Sequence, residues 1–417
     1  MANGSGEHRV ILHSDCNCYY ASVEMMLNPS LRGKAMAVCG LTEDRHGIVL
    51  AKSYEAKDKG VKTGMVNFKA RQACPGLICV PPHYDEYLKY SALVRNIYER
   101  YADLIEPYGM DECWLDVSRI AGNDGGVEVA EEIRAAVKSE LGLTVSIGVS
   151  FNKIFAKLGS DMKKPDAITV LNADHWREKV WPLSVSELLY CGQETTKKLM
   201  NRGVYSIGDM AHADPSLVKS WLGKNGLFLW AAANGEDTSR VMPGDFVSPV
   251  KSAGHGVTAS RDLNTVEEAW KLMLELCQEI GRKLRTHKLA AKGVALYVRD
   301  SKLHGDGWQM KLPYPTQSPM EVAQAARILF LNNYRWLESV RAISVTAINL
   351  IPASQSVQLD IFYEVERREK RDRLEDCIYD LRRRFGNRCV YNASLMGDLP
   401  MVRDGTDKVR MPGLMYQ

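Results

Sequence analysis

Nowhere in the 417 residues is there a run of about 18 apolar side chains, the length a membrane-spanning helix needs, so no membrane partner is expected. The opening "MANGSGEHRV" is polar and lacks the apolar core of an export signal, which points to a cytoplasmic chain. Cysteine is not scarce, at ten residues, yet no CxxC pair occurs. Cys16 and Cys18 have no second cysteine or histidine pair at zinc-ligand spacing, which argues against a structural zinc site. Most thiols sit in apolar or helical settings such as "AVCG", "LICV" and "LELCQ", and read as reduced, buried small residues. GxSxG and HExxH are both missing, which removes the common serine-hydrolase and zinc-hydrolase readings. A strong excess of one charge is missing too. At +3 overall, a nucleic-acid reading must rest on where the charge sits.

What is there is the composition of an ordinary globular protein, 45% hydrophobic and 25% charged, long enough for about two to four domains. "LHSDCNCYYASVEMM" sets an acid at the end of an apolar, strand-like run, and helical periodicity then continues to Asn28-Pro29. Residues 30–83 read as a compact insert, with strand-like "AMAVCG" and "GIVLAKS" and a helix starting at "YEAKDKG" and stopped by Gly60. A long amphipathic helix is expected over 84–101, then strands around the Pro-Tyr-Gly turn of "LIEPYGMDECWLDVS". A helix at about 127–141, the strand "TVSIGVS" and the basic helix "NKIFAKLGSDMKK" follow. Residues 176–244 are helix-rich, with Gly192, Gly203 and Gly208 expected at short turns, and "VMPGDFVSP" has linker composition. Residues 251–352 alternate in the order βαββαβ, which fits an antiparallel sheet with two helices on one face. After Pro352 a short apolar stretch, "VQLDIF", precedes the charged helix "ERREKRDRLEDCIYDLRRRFG".

Three acids stand out as chemistry. Asp15 closes the first strand, and Asp111-Glu112 lie at a strand–turn junction. Neighbours in a regular strand face opposite ways, so Asp111 and Glu112 share a site only if the turn after "EPYG" twists the chain, which Pro107 and Gly109 allow. Three such oxygen donors suit Mg²⁺, which takes few carboxylates and fills its shell with water and phosphate oxygens. A pair of such ions lowers the pKa of an attacking hydroxyl and stabilises a leaving pyrophosphate. On spacing alone, solvated acids at strand ends remain the plainer reading.

Motif order shifts that balance. "HSDCNCYYASVE", "NPSLRGKAMAVCG", "SYEAKDKGVKTGM", "MDECWLDVS", "SIGVSFNKIFAKLGSDMKKP" and "KSAGHGVT" occur in the order seen in Y-family translesion DNA polymerases. The chain resembles the bacterial DNA polymerase IV type over roughly residues 9–352. The resemblance implies an α+β multidomain, right-hand polymerase: palm at 1–29 and 84–175, small fingers at 30–83, and a helical, helix-hairpin-helix-like thumb at 176–244. A βαββαβ little finger at 245–352 and a tail at 353–417 complete it. It implies that Asp15, Asp111 and Glu112 are the catalytic, metal-binding carboxylates for two Mg²⁺ ions, with Mn²⁺ as a substitute. Cys16 adds its backbone carbonyl. Cys18 and Tyr19 stand at the nucleotide, Tyr20 is the steric gate against a ribose 2′-OH, and Tyr54, Lys57 and Lys164 hold the triphosphate. There are departures from the pattern. Lys57 stands where arginine is common and lacks its bidentate fork. Gly109-Met110 precede the acid pair in place of Ser-Ile. Gly192 is kept in the thumb hairpin, but Glu194 takes the place of its second glycine. Asp166-Ala167 replace Asn-Gly, a tight turn that alanine is expected to adopt less readily.

Charge is concentrated in the little-finger candidate, where residues 251–352 carry fourteen Lys and Arg against nine Asp and Glu. Lys251 and a cluster of Arg282, Lys283, Arg285, Lys288 and Lys292 form a patch suited to phosphates without sequence choice. "QLDIF" resembles the bacterial sliding-clamp-binding peptide, with Gln358, Leu359, Ile361 and Phe362 as anchors for a greasy pocket. The expected activity is template-directed, low-fidelity incorporation of dNTPs opposite damaged or distorted bases. The expected protein is a nucleoid-associated monomer that binds primer-template DNA and a sliding clamp. The alternatives are a non-catalytic clamp- and DNA-binding scaffold of the same family, and a nucleotidyl cyclase, which has no use for a basic C-terminal domain.

Overall fold

The computed structural model describes residues 9–40, 47–122, 125–246, 248–355, 365–386, 389–390 and 392–395. The chain divides into two compact units at residues 247–248. The first opens with β1 (Ile11–Cys16), α1 (Tyr19–Leu27), β2 (Met36–Cys39), β3 (Val49–Lys52), α2 (Tyr54–Asp58), α3 (Asn67–Ala73) and β4 (Ile78–Val80). Next come α4 (Tyr84–Tyr98), β5 (Leu104–Pro107), β6 (Glu112–Asp116), α5 (Val127–Leu141), β7 (Val145–Ser150), α6 (Lys153–Met162) and β8 (Ile168–Leu171). Four helices close it: α7 (Trp176–Val180), α8 (Gln193–Met200), α9 (Ile207–His212) and α10 (Pro215–Ala233).

The main sheet runs β5-β6-β1-β7-β8, and the insert makes its own small sheet, β3-β2-β4. β1 is central and buried along its length, so the consecutive polar residues His13, Ser14 and Asp15 are as shielded from water as Ile11 and Leu12. Leu12 and Cys16 join the core shared with α4 and α5. Ile11 packs on the opposite face with Trp114 and Ala156, under α6. His13 and Asp15 share that second face by strand alternation.

Gly148 lets α6 approach closely. A Cβ there would lie 1.8 Å from the Ala156 carbonyl oxygen and 2.5 Å from the Ser160 nitrogen, both backbone atoms. Gly148→Ala is expected to cost about 3 kcal/mol or more, since a methyl forced against backbone cannot be relieved by a rotamer change. A shift in the urea unfolding midpoint measures it. Gly208, expected at a turn, instead lies within α9, pressed against Trp181.

The second unit contains β9 (Ala253–Leu263), α11 (Val266–Thr286), β10 (Leu289–Asp300), β11 (Gly305–Thr316), α12 (Pro319–Asn333) and β12 (Val340–Pro352). Its sheet order is β11-β10-β12-β9, antiparallel throughout, and α11 and α12 bury their apolar faces against it. A last long helix, α13 (Val365–Phe385), docks by polar contacts. Arg285 reaches Glu375 and Asp376 at 2.9 Å each, and the Ser318 hydroxyl donates to Glu375.

Candidate active site

Register brings the acids together. Asp15 and Glu112 are direct partners across β1 and β6, so their side chains project to the same face. Asp111 sits just before β6, outside the ladder. Gly109, at φ 98°, turns the chain there, and the Asp111 carbonyl accepts from the Cys16 N–H at 2.9 Å. The twist that two adjacent acids require is present.

Burial pushes the pKa of Asp15 up to about 6, with Lys164 pulling the other way. Burial also raises Asp111 to about 7, and the charges of Asp15 and Glu112 add to the effect. Glu112 moves oppositely. Burial works against its charge, but the neighbouring His13 ring and the Lys157 ammonium hold its pKa low. Lys164 Nζ lies 2.7 Å from Asp15 Oδ2 and 2.8 Å from Asp161 Oδ1, and Lys157 Nζ lies 2.8 Å from Glu112 Oε2. Among the described residues no three His, Cys, Asp or Glu side chains close around a metal position. Two ammonium groups engage the acids instead. The donor chemistry still fits a hard divalent cation: three carboxyls, two of them with pKa values raised by burial and mutual repulsion, form an excess of negative charge that a dication would relieve.

This has a pH signature. The folded pKa values of Asp15 and Asp111 lie above those of free carboxyls. Their stabilising contribution is therefore full below about pH 4 and is lost as pH rises through about 6 and about 7. The urea midpoint of metal-free protein is expected to fall across that window. Asp111→Asn is expected to flatten the fall, and added Mg²⁺ to oppose it most above pH 7.

The residues expected at the nucleotide separate into two groups. Cys18, at φ 47°, caps the start of α1. Its half-buried thiol hydrogen-bonds with Tyr54 and feels the charges of Lys52, Lys57 and Lys164. Lys57 Nζ stands 5.5 Å from the Tyr54 ring centre, so the i, i+3 pair does share a helix face. Lys52 is a further member of this cationic group that motif order does not mark; its signal is the basic, half-buried end of "VLAK", two residues before Tyr54. Tyr19 turns its side chain inward: it is 3% exposed and its hydroxyl donates to the Tyr87 carbonyl, so the ring belongs to the core. Tyr20 remains accessible. Its ring stacks on Tyr87 at 4.3 Å and 9°, and its hydroxyl lies 3.6 Å from Met110 Sδ.

The expected strain at Ala167 is absent. The left-handed residue is Asp166, at φ 52°, a conformation that aspartate tolerates better than alanine. Arg134 at 3.0 Å and Lys138 at 2.6 Å hold its carboxylate, and its N–H donates to Asn17 Oδ1. Gly192 caps α8 in extended backbone, and Glu194 in the first turn pairs with Lys197 at 2.8 Å.

The basic cluster of the second unit is not one open patch. Arg285, with a side chain only 8% exposed, is a cross-link to α13, because paired acids and the Gln317 carbonyl use its guanidinium. Arg282 pairs with Glu279, and Lys283 donates to the Gly254 carbonyl at 2.8 Å. Lys251, Lys288 and Lys292 are exposed. The helix-free face of the sheet adds exposed Tyr297, Arg299, Gln309 and Lys311. Strand alternation signals them, since Trp308, Met310 and Leu312 pack toward the core. Gln358, Leu359, Ile361 and Phe362 lie outside the described residues.

Residues 14–161 match the impB/mucB/samB family, and residues 250–361 match its C-terminal domain. A DNA polymerase IV from Acetivibrio thermocellus is 45% identical over 391 residues, covering 94% of this chain and 98% of its own. DNA polymerase IV 1 of Bacillus subtilis is 34% identical over 386 residues, covering 92% of each chain. Among solved structures, a Y-family DNA polymerase chimera superposes with a TM-score of 0.71 at 25% identity, over 82% of this chain and 99% of that one. DinB from Sulfolobus solfataricus shares the fold at a TM-score of 0.53 and 24% identity, covering 82% of this chain and 99% of that one.

Proposed function

From the premise that this chain belongs to the impB/mucB/samB family, the Y-family DNA polymerases of the DinB type, we propose that it extends primers opposite damaged or distorted template bases with low fidelity. It is a DNA-directed DNA polymerase with a right-hand fold, and DNA and deoxynucleotides are its substrates. The observation that carries the finer reading is the cross-strand pair Asp15–Glu112 with Asp111 beside it.

Y-family DNA polymerases use divalent ions, and Asp15, Asp111, Glu112 and the Cys16 carbonyl are the groups that hold two Mg²⁺ ions here. When bound, such ions stabilise charge on the phosphate oxygens and make the primer hydroxyl a better nucleophile. The chain's own residues do the rest. Lys164, released from Asp15, joins Lys52, Lys57 and Tyr54 in binding the triphosphate. Tyr20 checks the sugar. In this reading the five-stranded sheet is the palm, the insert the fingers, and α7–α10 the thumb. The second unit's sheet is the little finger, with Lys251, Lys288, Lys292, Arg299 and Lys311 toward DNA phosphates. Gln358, Leu359, Ile361 and Phe362 engage a sliding clamp. Leu359→Ala with Phe362→Ala is expected to abolish stimulation by clamp without changing clamp-free extension.

A primer-extension assay with Mg²⁺ on intact and abasic templates tests the proposal. The expected result is Mg²⁺-dependent extension on both. No extension with either Mg²⁺ or Mn²⁺ would overturn it and leave the scaffold reading.

A further inference from the structure

His13 lies in the middle of β1 with none of its surface exposed, on the same sheet face as Asp15. Its neighbours across the strands are Trp114 and Gly148. Because Gly148 carries no side chain, α6 settles against it, and Ser160 Oγ comes within 2.8 Å of His13 Nδ1. The other ring nitrogen is buried and has no hydrogen-bond partner within normal geometry. Its nearest acidic oxygen is Glu112 Oε2, at 3.4 Å. That same oxygen accepts from Lys157 at 2.8 Å.

A neutral imidazole has one N–H, and its neighbours decide where it sits. The Ser160 hydroxyl has two choices: it can donate to Nδ1, or to the Lys157 carbonyl 2.7 Å away. In the second case Nδ1 carries the proton, and an Nε2 lone pair faces a carboxylate, which is repulsive. In the first, the Nε2 proton faces Glu112 Oε2 at 3.4 Å, so a donor meets the carboxylate in place of a lone pair, at a separation beyond a normal hydrogen bond. An unmatched buried polar group is costly, which favours the tautomer that turns a donor toward Glu112.

We propose that His13 is a positioning residue for Glu112, its Nε2–H tautomer set by Ser160 and its ring holding one of the three acids in the orientation catalysis uses. Lys157 fixes the charge of Glu112, and His13 fixes its direction. Partners one step removed from ligand groups commonly contribute about 10–100-fold to affinity or activity. The activity consequence rests on the polymerase reading; the tautomer does not.

Two measurements on the full chain test it. Long-range proton–nitrogen NMR of histidine-labelled, metal-free protein reports which ring nitrogen of His13 is protonated, the signal being assigned by its loss in His13→Gln. Nε2–H is expected, and Nδ1–H would overturn the proposal. In steady-state extension, His13→Phe fills the volume without a donor and is expected to lower kcat about 30-fold or more, with KM for dNTP within about threefold. His13→Gln returns an N–H near the Nε2 position and is expected to recover most of that loss. Wild-type kcat in a folded His13→Phe chain, or no recovery in His13→Gln, would overturn it. Wild-type protein inactive on every template would sink the polymerase reading while leaving the tautomer result to decide the role of His13.

Discussion

Asp111→Ala is expected to lower kcat for primer extension at least about a thousandfold, with primer-template affinity within about threefold of wild type. Asp111 lies outside β6, so removing its carboxylate leaves the ladder between β1 and β6 in place. The bond from the Cys16 N–H is to its backbone carbonyl and also survives. What disappears is a carboxyl whose charge is disfavoured by burial and by the neighbouring charges of Asp15 and Glu112. Glu112→Ala is expected to fall as far, and the double variant no further, because ligands of one site act as a unit. Metal-free stability gives the opposite sign: with one repelling acid gone, Asp111→Ala is expected to be at least as stable as wild type at pH 8. Turnover near the wild-type rate would remove Asp111 from the metal site.

Tyr20→Ala is expected to cut discrimination against ribonucleotides about a hundredfold, the scale of selectivity that a pocket lacking a specific partner for a hydroxyl achieves by shape. The ring can act as a wall only if it is held. Tyr87 stacks on it at 4.3 Å, Tyr84 meets it edge-on at 6.0 Å, and the hydroxyl reaches Met110 Sδ at 3.6 Å. Tyr87 is in turn fixed by its hydroxyl donating to buried Glu24, which also meets His83 at 2.9 Å. Tyr20→Phe keeps the wall and is expected to keep the selectivity. The ratio of kcat/KM for dCTP and CTP measures both variants, and an unchanged ratio in Tyr20→Ala would assign the gate to another residue.

Tyr19 and Tyr20 show where sequence reasoning stops. Both are aromatic and adjacent at the start of α1, and nothing in their order says which one points inward. Helical rotation of about 100° per residue sends Tyr19 to the core and leaves Tyr20 half-exposed. Arg285 teaches the same lesson in reverse. In sequence it is one of five neighbouring cations, but Glu375 and Asp376, ninety residues on, neutralise it.

The elements, and the candidates for the chemistry, were legible in local pattern. Apolar periodicity marked β1, α4, α5 and the βαββαβ order, and motif order marked the three acids and the gate. Local pattern suffices there because period and composition are properties of neighbouring residues. Only the tertiary structure decided register and pairing: that Asp15 faces Glu112, that Lys164 sits on Asp15, that His13 meets Ser160 through the gap at Gly148. Those contacts join residues far apart in the chain. They depend on how strands align and how closely a helix can approach a sheet, which is settled by packing the whole core.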